Sequence, residues 1–92
     1  MTAKAVDPTD PQVLYKLGIA YFKYGDNKRT IKALKHSLKN HPFVTYMPDI
    51  YYHCGLAYAR LEKFERSLYP FGRAIEMVPS DIRYIHERAK AN

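Results

Sequence analysis

Residues 11–21, PQVLYKLGIAY, return as residues 48–58, PDIYYHCGLAY, and the reading of that pair decides the fold. A shift of 37 residues sets Pro11 on Pro48, Tyr15 on Tyr52, Gly18 on Gly55, Ala20 on Ala57 and Tyr21 on Tyr58. Downstream it sets Arg29 on Arg66 and Pro42 on Pro79. Conservative pairs fall between the identities: Val13 with Ile50, Lys23 with Arg60, Thr30 with Ser67, Ile31 with Leu68, Leu34 with Phe71. So many matches in one register mark an internal repeat, which constrains the architecture before any local pattern does.

Each unit reads as two helices. Leu14, Leu17, Tyr21 and Tyr24 recur at helical spacing, with Asp10 as N-cap and Pro11 as first helical residue. Gly25 supplies the left-handed residue that ends this helix, and Asp26 caps the next, whose apolar stripe is Ile31, Leu34 and Leu38. Asn40, His41 and Pro42 stop it. The second unit predicts helices over about 48–61 and 64–78, and a fifth helix over about 81–91 follows Ser80 as cap. Pro70 lies inside the fourth helix, where it removes a hydrogen bond and crowds the preceding turn at a cost of about 3 kcal/mol. With Gly72 close behind, a kink or a late helix start is expected there. No strand-like alternation and no nucleotide-binding glycine loop is present.

The length, 92 residues, allows one domain near the lower limit for a self-sufficient core. Nine tyrosines and four phenylalanines without tryptophan make that core largely aromatic. One cysteine, Cys54, permits no internal disulfide. The N-terminal residues lack the apolar core of a signal peptide, and no apolar run approaches the roughly 18 residues of a membrane span. A cytoplasmic protein is the expectation. Fifteen Lys and Arg against nine Asp and Glu give a net charge of +6, which favours acidic partners without choosing among peptide, nucleic acid and anionic surface.

The pattern resembles the tetratricopeptide (TPR) repeat family, whose signature spaces a large residue, a Leu-Gly pair and a Tyr along helix A, then a small residue, a Phe and a Pro along helix B. The first unit offers Leu14, Leu17-Gly18, Tyr21, Thr30, Leu34 and Pro42; the second offers Tyr51, Cys54-Gly55, Tyr58, Ser67, Phe71 and Pro79. The resemblance implies an all-α fold, a right-handed α-α superhelix of about five helices. It divides the chain into a flexible segment (1–10), repeat 1 (11–44), an extended turn (45–47), repeat 2 (48–81) and a capping helix or start of a third repeat (82–92). Gly18 and Gly55 would let helices A and B approach closely, with Thr30 and Ser67 as the small residues facing them. Tyr21 and Tyr58 would fill the gap to the next unit. Ile85, Arg88 and Ala89 match helix A positions of a third unit. The family period is about 34 residues, so the shift of 37 implies an insertion, assigned to 44–47, that lengthens the turn and rotates the second unit.

In this family the A helices line a concave groove for peptide ligands. By position the groove takes Gln12, Tyr15, Lys16, Ile19, Phe22 and Lys23 from the first unit. The second adds Asp49, Tyr52, His53, Leu56, Ala59 and Arg60, and the last helix Arg83, His86, Glu87 and Lys90. An apolar strip edged with cations suits an amphipathic, acidic partner segment. Family members that hold chaperone tails use a Lys, Asn, Asn, Lys, Arg clamp. The corresponding positions here are Tyr15, Ile19, His53, Arg83 and Glu87, so Hsp70/Hsp90 C-terminal tails are not expected as ligands.

Lys28, Lys32, Lys35 and Lys39 share one helix face, which leaves nucleic-acid or anionic-surface binding as an alternative to a solvated face. His36 and His41 have poor metal-ligand spacing, and Cys54 stands where the family buries a leucine, which implies an inert core thiol. No catalytic constellation is present. The expectation is a non-enzymatic scaffold without cofactor that recruits a protein or peptide, with self-association or a purely structural spacer role left open.

Overall fold

The computed structural model describes residues 9–92, so most of the segment 1–10 that the sequence marks as flexible lies outside the described residues. Five α-helices follow one another: α1 (Pro11–Tyr24), α2 (Asn27–Lys39), α3 (Met47–Arg60), α4 (Phe64–Met77) and α5 (Ile82–Ala91). No strand occurs among the described residues.

The ends follow from local chemistry. The Asp10 carboxylate accepts the Gln12 amide at 2.8 Å, with Pro11 as first helical residue, where its missing N–H costs nothing. Gly25 closes α1 at φ 88°, and Asp26 accepts the Arg29 amide at 3.1 Å to start α2. In the second unit the residue aligned with Gly25 is Glu62, held at φ 60° without a glycine's freedom. The cap of α5 is Asp81, not Ser80: its carboxylate accepts the Arg83 amide at 3.0 Å and the Arg83 guanidinium as well. Residues Val44–Tyr46 form a 3-10 turn running directly into α3, so Met47, assigned to the inter-repeat turn, is the first residue of that helix.

α4 runs from Phe64 to Met77 with Pro70 inside it, so of the two outcomes expected at Pro70, a kink or a late start, the late start does not occur. Proline removes the amide that would bond the Arg66 carbonyl. Burial of Pro70 and of Phe71, which is 1% exposed, offsets that loss.

Helices pack as successive hairpins. α1 packs on α2 and α3 on α4; α2 then packs on α3 and α4 on α5. The odd-numbered helices also touch, α1 with α3 and α3 with α5, whereas α2 and α4 do not. The result is elongated, with extents of 53 × 25 × 18 Å. Leu34, Ile50 and Cys54 form the core between the first three helices, and Phe71, Ala74 and Tyr84 are buried further along. The glycines act as the repeat implies. A Cβ on Gly18 would lie 2.5 Å from Leu34 Cδ2, and one on Gly55 2.5 Å from Phe71 Cδ1, so the same pair of positions sets the closest approach in both hairpins.

Two packing expectations need correction. Leu17 and Tyr24 belong to the apolar stripe of α1 yet are 41% and 92% exposed, because no helix among the described residues packs on that side of α1. Tyr58 does not face the next unit: Lys35 of α2 lies over its ring at 5.6 Å, so it turns back to the preceding one.

Candidate binding groove

The shared side of α1, α3 and α5 carries the residues expected to form a groove, and many of them meet in clusters. In the first cluster the Phe22 ring meets the His53 ring edge-on at 4.9 Å. The Arg60 guanidinium covers Phe22 at 3.9 Å, and its Nη1 donates to the Phe22 carbonyl at 3.5 Å. In the second, Tyr52 packs against Tyr84 at 5.0 Å and Phe71 at 6.2 Å, with the Arg83 guanidinium 5.4 Å above its ring. The two clusters join where Tyr52 meets His53 at 5.4 Å. The cations therefore lie on the aromatic faces and do not merely edge the strip. Arg83 also donates to both carboxylate oxygens of Asp81, at 3.0 and 2.7 Å.

Tyr15 is engaged within the fold. Its hydroxyl donates to Asp49 Oδ2 at 2.5 Å, and its ring stacks on Tyr46 at 5.0 Å. Asp49 is the hub of this corner. His53 Nδ1 sits 2.9 Å from the Asp49 carbonyl and 3.3 Å from Oδ1, both acceptors, so Nδ1 carries the proton. Burial alone would raise the Asp49 carboxyl, but hydrogen bonds from His53 and Tyr15, with the charges of His53 and Arg83, outweigh it and hold the group below its usual range. Burial, and then the bond to Asp49, push the Tyr15 phenol well above its usual value.

Leu56 and Arg60 line a cavity of about 390 Å³ between α3, α4 and α5, bounded by Phe64, Phe71, Glu87 and Lys90. Lys90 donates to Glu87 at 3.2 Å along α5. Lys16 and Lys23 are exposed, Ile19 is half-buried, and these three take no part in either cluster. Lys28, Lys32, Lys35 and Lys39 are all exposed on α2, and among the described residues no carboxylate pairs with any of them. Burial pushes the Cys54 thiol up to about 12, so it is protonated at neutral pH. Among the described residues no three His, Cys, Asp or Glu side chains gather as a metal site, and no helix is long and apolar enough to cross a membrane.

No protein-family model and no curated protein sequence matches this chain.

Sequence reasoning missed Tyr84, Tyr46 and the hub role of Asp49. Tyr84 was legible: a shift of 34 sets it on Ile50, which is 0% exposed, so a buried residue belonged at that place on α5. Tyr46 lies in the insertion between the units and has no counterpart in the register. The Asp49 hub depends on the meeting of α1 and α3, which no local pattern encodes.

Proposed function

We propose that this chain is a TPR-type repeat module, stacked as a right-handed superhelix, that performs no chemistry and recruits a partner protein through the side shared by α1, α3 and α5. The reading rests on the repeat: one 37-residue register accounts for both close hairpin approaches, Gly18 to Leu34 and Gly55 to Phe71. The observation that carries the binding role is the row of rings and cations from Phe22 to Tyr84 beside the Leu56 cavity. Aromatic and arginine side chains are among the residue types that dominate binding energy at interfaces. An amphipathic segment with acidic residues suits it, its apolar side entering beside Leu56 and its carboxylates meeting Arg60.

The test is capture from nuclease-treated lysate by the wild type and by Leu56→Ala/Arg60→Ala, with thermal melts of both. Tyr52 is a poor probe because it packs on Phe71 and Tyr84. Partners lost by the variant at unchanged melting temperature support the groove, and identical captures remove it. A second reading, nucleic-acid or anionic-surface binding, is favoured by the four exposed, unpaired lysines of α2. Lys28→Glu/Lys32→Glu would abolish such binding and leave groove capture intact.

A further inference from the structure

On the face of α3 turned away from His53 and Arg60, a cavity of about 360 Å³ opens between α2 and α4, which do not touch each other. Its floor is Tyr51, Cys54 and Tyr58 of α3, and its walls are Leu38 of α2 with Tyr69 and Pro70 of α4. Tyr69 is 69% exposed, a large ring held at the opening. Lys35 and Arg66, both exposed, stand on opposite sides.

The repeat supplies an internal comparison. Shifted by 37, Tyr51, Cys54, Tyr58, Arg66 and Pro70 become Leu14, Leu17, Tyr21, Arg29 and Ala33, which line a smaller recess of about 230 Å³ at the other end of the molecule. There Arg29 has a carboxylate, Asp26 Oδ2 at 3.6 Å. In the second unit the position of Asp26 is taken by Lys63, and among the described residues neither Arg66 nor Lys35 has an acidic partner. The larger recess thus keeps two uncompensated cations around an aromatic box, and Lys35 already lies over one of its rings, Tyr58, at 5.6 Å. Apart from the tyrosine hydroxyls and the two cations, the lining surface is mainly apolar, so much of a nucleotide base's polar edge would be buried there without partners, which is costly. A bulky apolar side chain loses nothing there. Cations on both sides match carboxylates before and after such an anchor in one extended segment.

We propose that this recess is a second binding site, independent of the odd-helix groove, for an acidic protein segment that seats one aromatic or large aliphatic side chain in the recess lined by Tyr51, Tyr58 and Tyr69 and sets flanking carboxylates on Lys35 and Arg66. The probe is the peptide acetyl-Glu-Asp-Trp-Leu-Asp-Glu-amide, titrated into the 15N-labelled chain. Its Gln/Asn counterpart, its Lys/Arg counterpart and a single-stranded oligothymidylate are titrated in parallel. The expected result is amide shifts at Lys35, Tyr51, Tyr58, Arg66 and Tyr69 with the acidic peptide, weaker by about tenfold or more in Lys35→Glu/Arg66→Glu. Tyr69→Ala, at an exposed position, weakens it with both charges kept. The proposal is overturned by no binding of the acidic peptide up to millimolar concentration, by no preference over the neutral peptide, or by equal binding by the charge-reversed variant. Shifts confined to Phe22, His53 and Leu56 also overturn it and belong to the groove. Shifts at the recess with oligothymidylate and not with the acidic peptide assign it to nucleic acid instead.

Discussion

The Tyr15 hydroxyl donates to Asp49 Oδ2 at 2.5 Å, tying α1 to α3 across 34 residues of chain. The other Asp49 oxygen faces His53, so removing the phenol leaves a half-buried carboxylate short of one donor. Tyr15→Phe is expected to cost about 1 kcal/mol, discounted for partial exposure, which lowers the melting temperature of a chain this size by about 4–8 °C. An unchanged melt removes the bond from the account of stability.

The same pair fixes the pH dependence. Asp49 is held below its ordinary value of 3.8, so its contribution is present above about that pH and is lost as pH falls through the folded value. Tyr15 is held above its ordinary value of 10.0, so its contribution is complete below that pH and is lost as pH rises beyond it. Urea midpoints measured across the range should therefore fall at both ends. In Tyr15→Phe the alkaline fall should shrink, and an equal fall would mean that other tyrosines carry it.

Gly55 and Gly72 make opposite predictions though both sit in helices. A Cβ on Gly55 runs into the buried Phe71 ring, which has little room to move, so Gly55→Ala is expected to destabilise by about 1–3 kcal/mol. A Cβ on Gly72 meets nothing within 4 Å, so Gly72→Ala gains helix propensity and stabilises by about 0.5–1 kcal/mol. Glu62→Gly should also stabilise, since φ 60° strains a side chain there. Chemical denaturation of the three variants decides each sign.

How much of this was written in the sequence depends on range. Asp10, Pro11, Gly25 and Asp26 announce α1 and α2 because caps act within one turn, and the repeat carries that reading into α3 and α4. Ser80 and Asp81 are both capping residue types, and the cap is Asp81, whose carboxylate accepts from the Arg83 amide and from its guanidinium. A late start, one of the two outcomes expected at Pro70, weighed a local cost without the burial that offsets it. In the proposed groove the register supplied Phe22, Tyr52, His53 and Arg60. That the guanidiniums lie on the rings is a matter of rotamers across helices, which spacing does not specify.

Cys54 provides a clock for opening. Its thiol is 3% exposed and pushed up to about 12, so the nucleophilic thiolate is scarce at pH 8 and shielded. Alkylation of the native chain should be slower than that of the urea-unfolded chain by orders of magnitude, with a rate set by unfolding. Rapid native labelling would mean that the α2–α4 recess opens readily to its floor.

Tyr84 is the buried residue of the last helix. Tyr84 is 4% exposed and packs on Tyr52, while Ile82 and Ile85 on the same helix are 78% and 46% exposed, so its outer side is not the uniformly polar surface of a cap. Tyr84→Ala should cost about 3–5 kcal/mol, as for other buried aromatic truncations, and Ile82→Ala almost nothing. Deleting residues 82–92 should go further, because Tyr52 and Phe71 lose cover together and aggregation follows the loss of stability. Thermal melts with light scattering separate the cases. If the deletion melts like the full chain, α5 contributes nothing to the fold and is available as a surface for a partner.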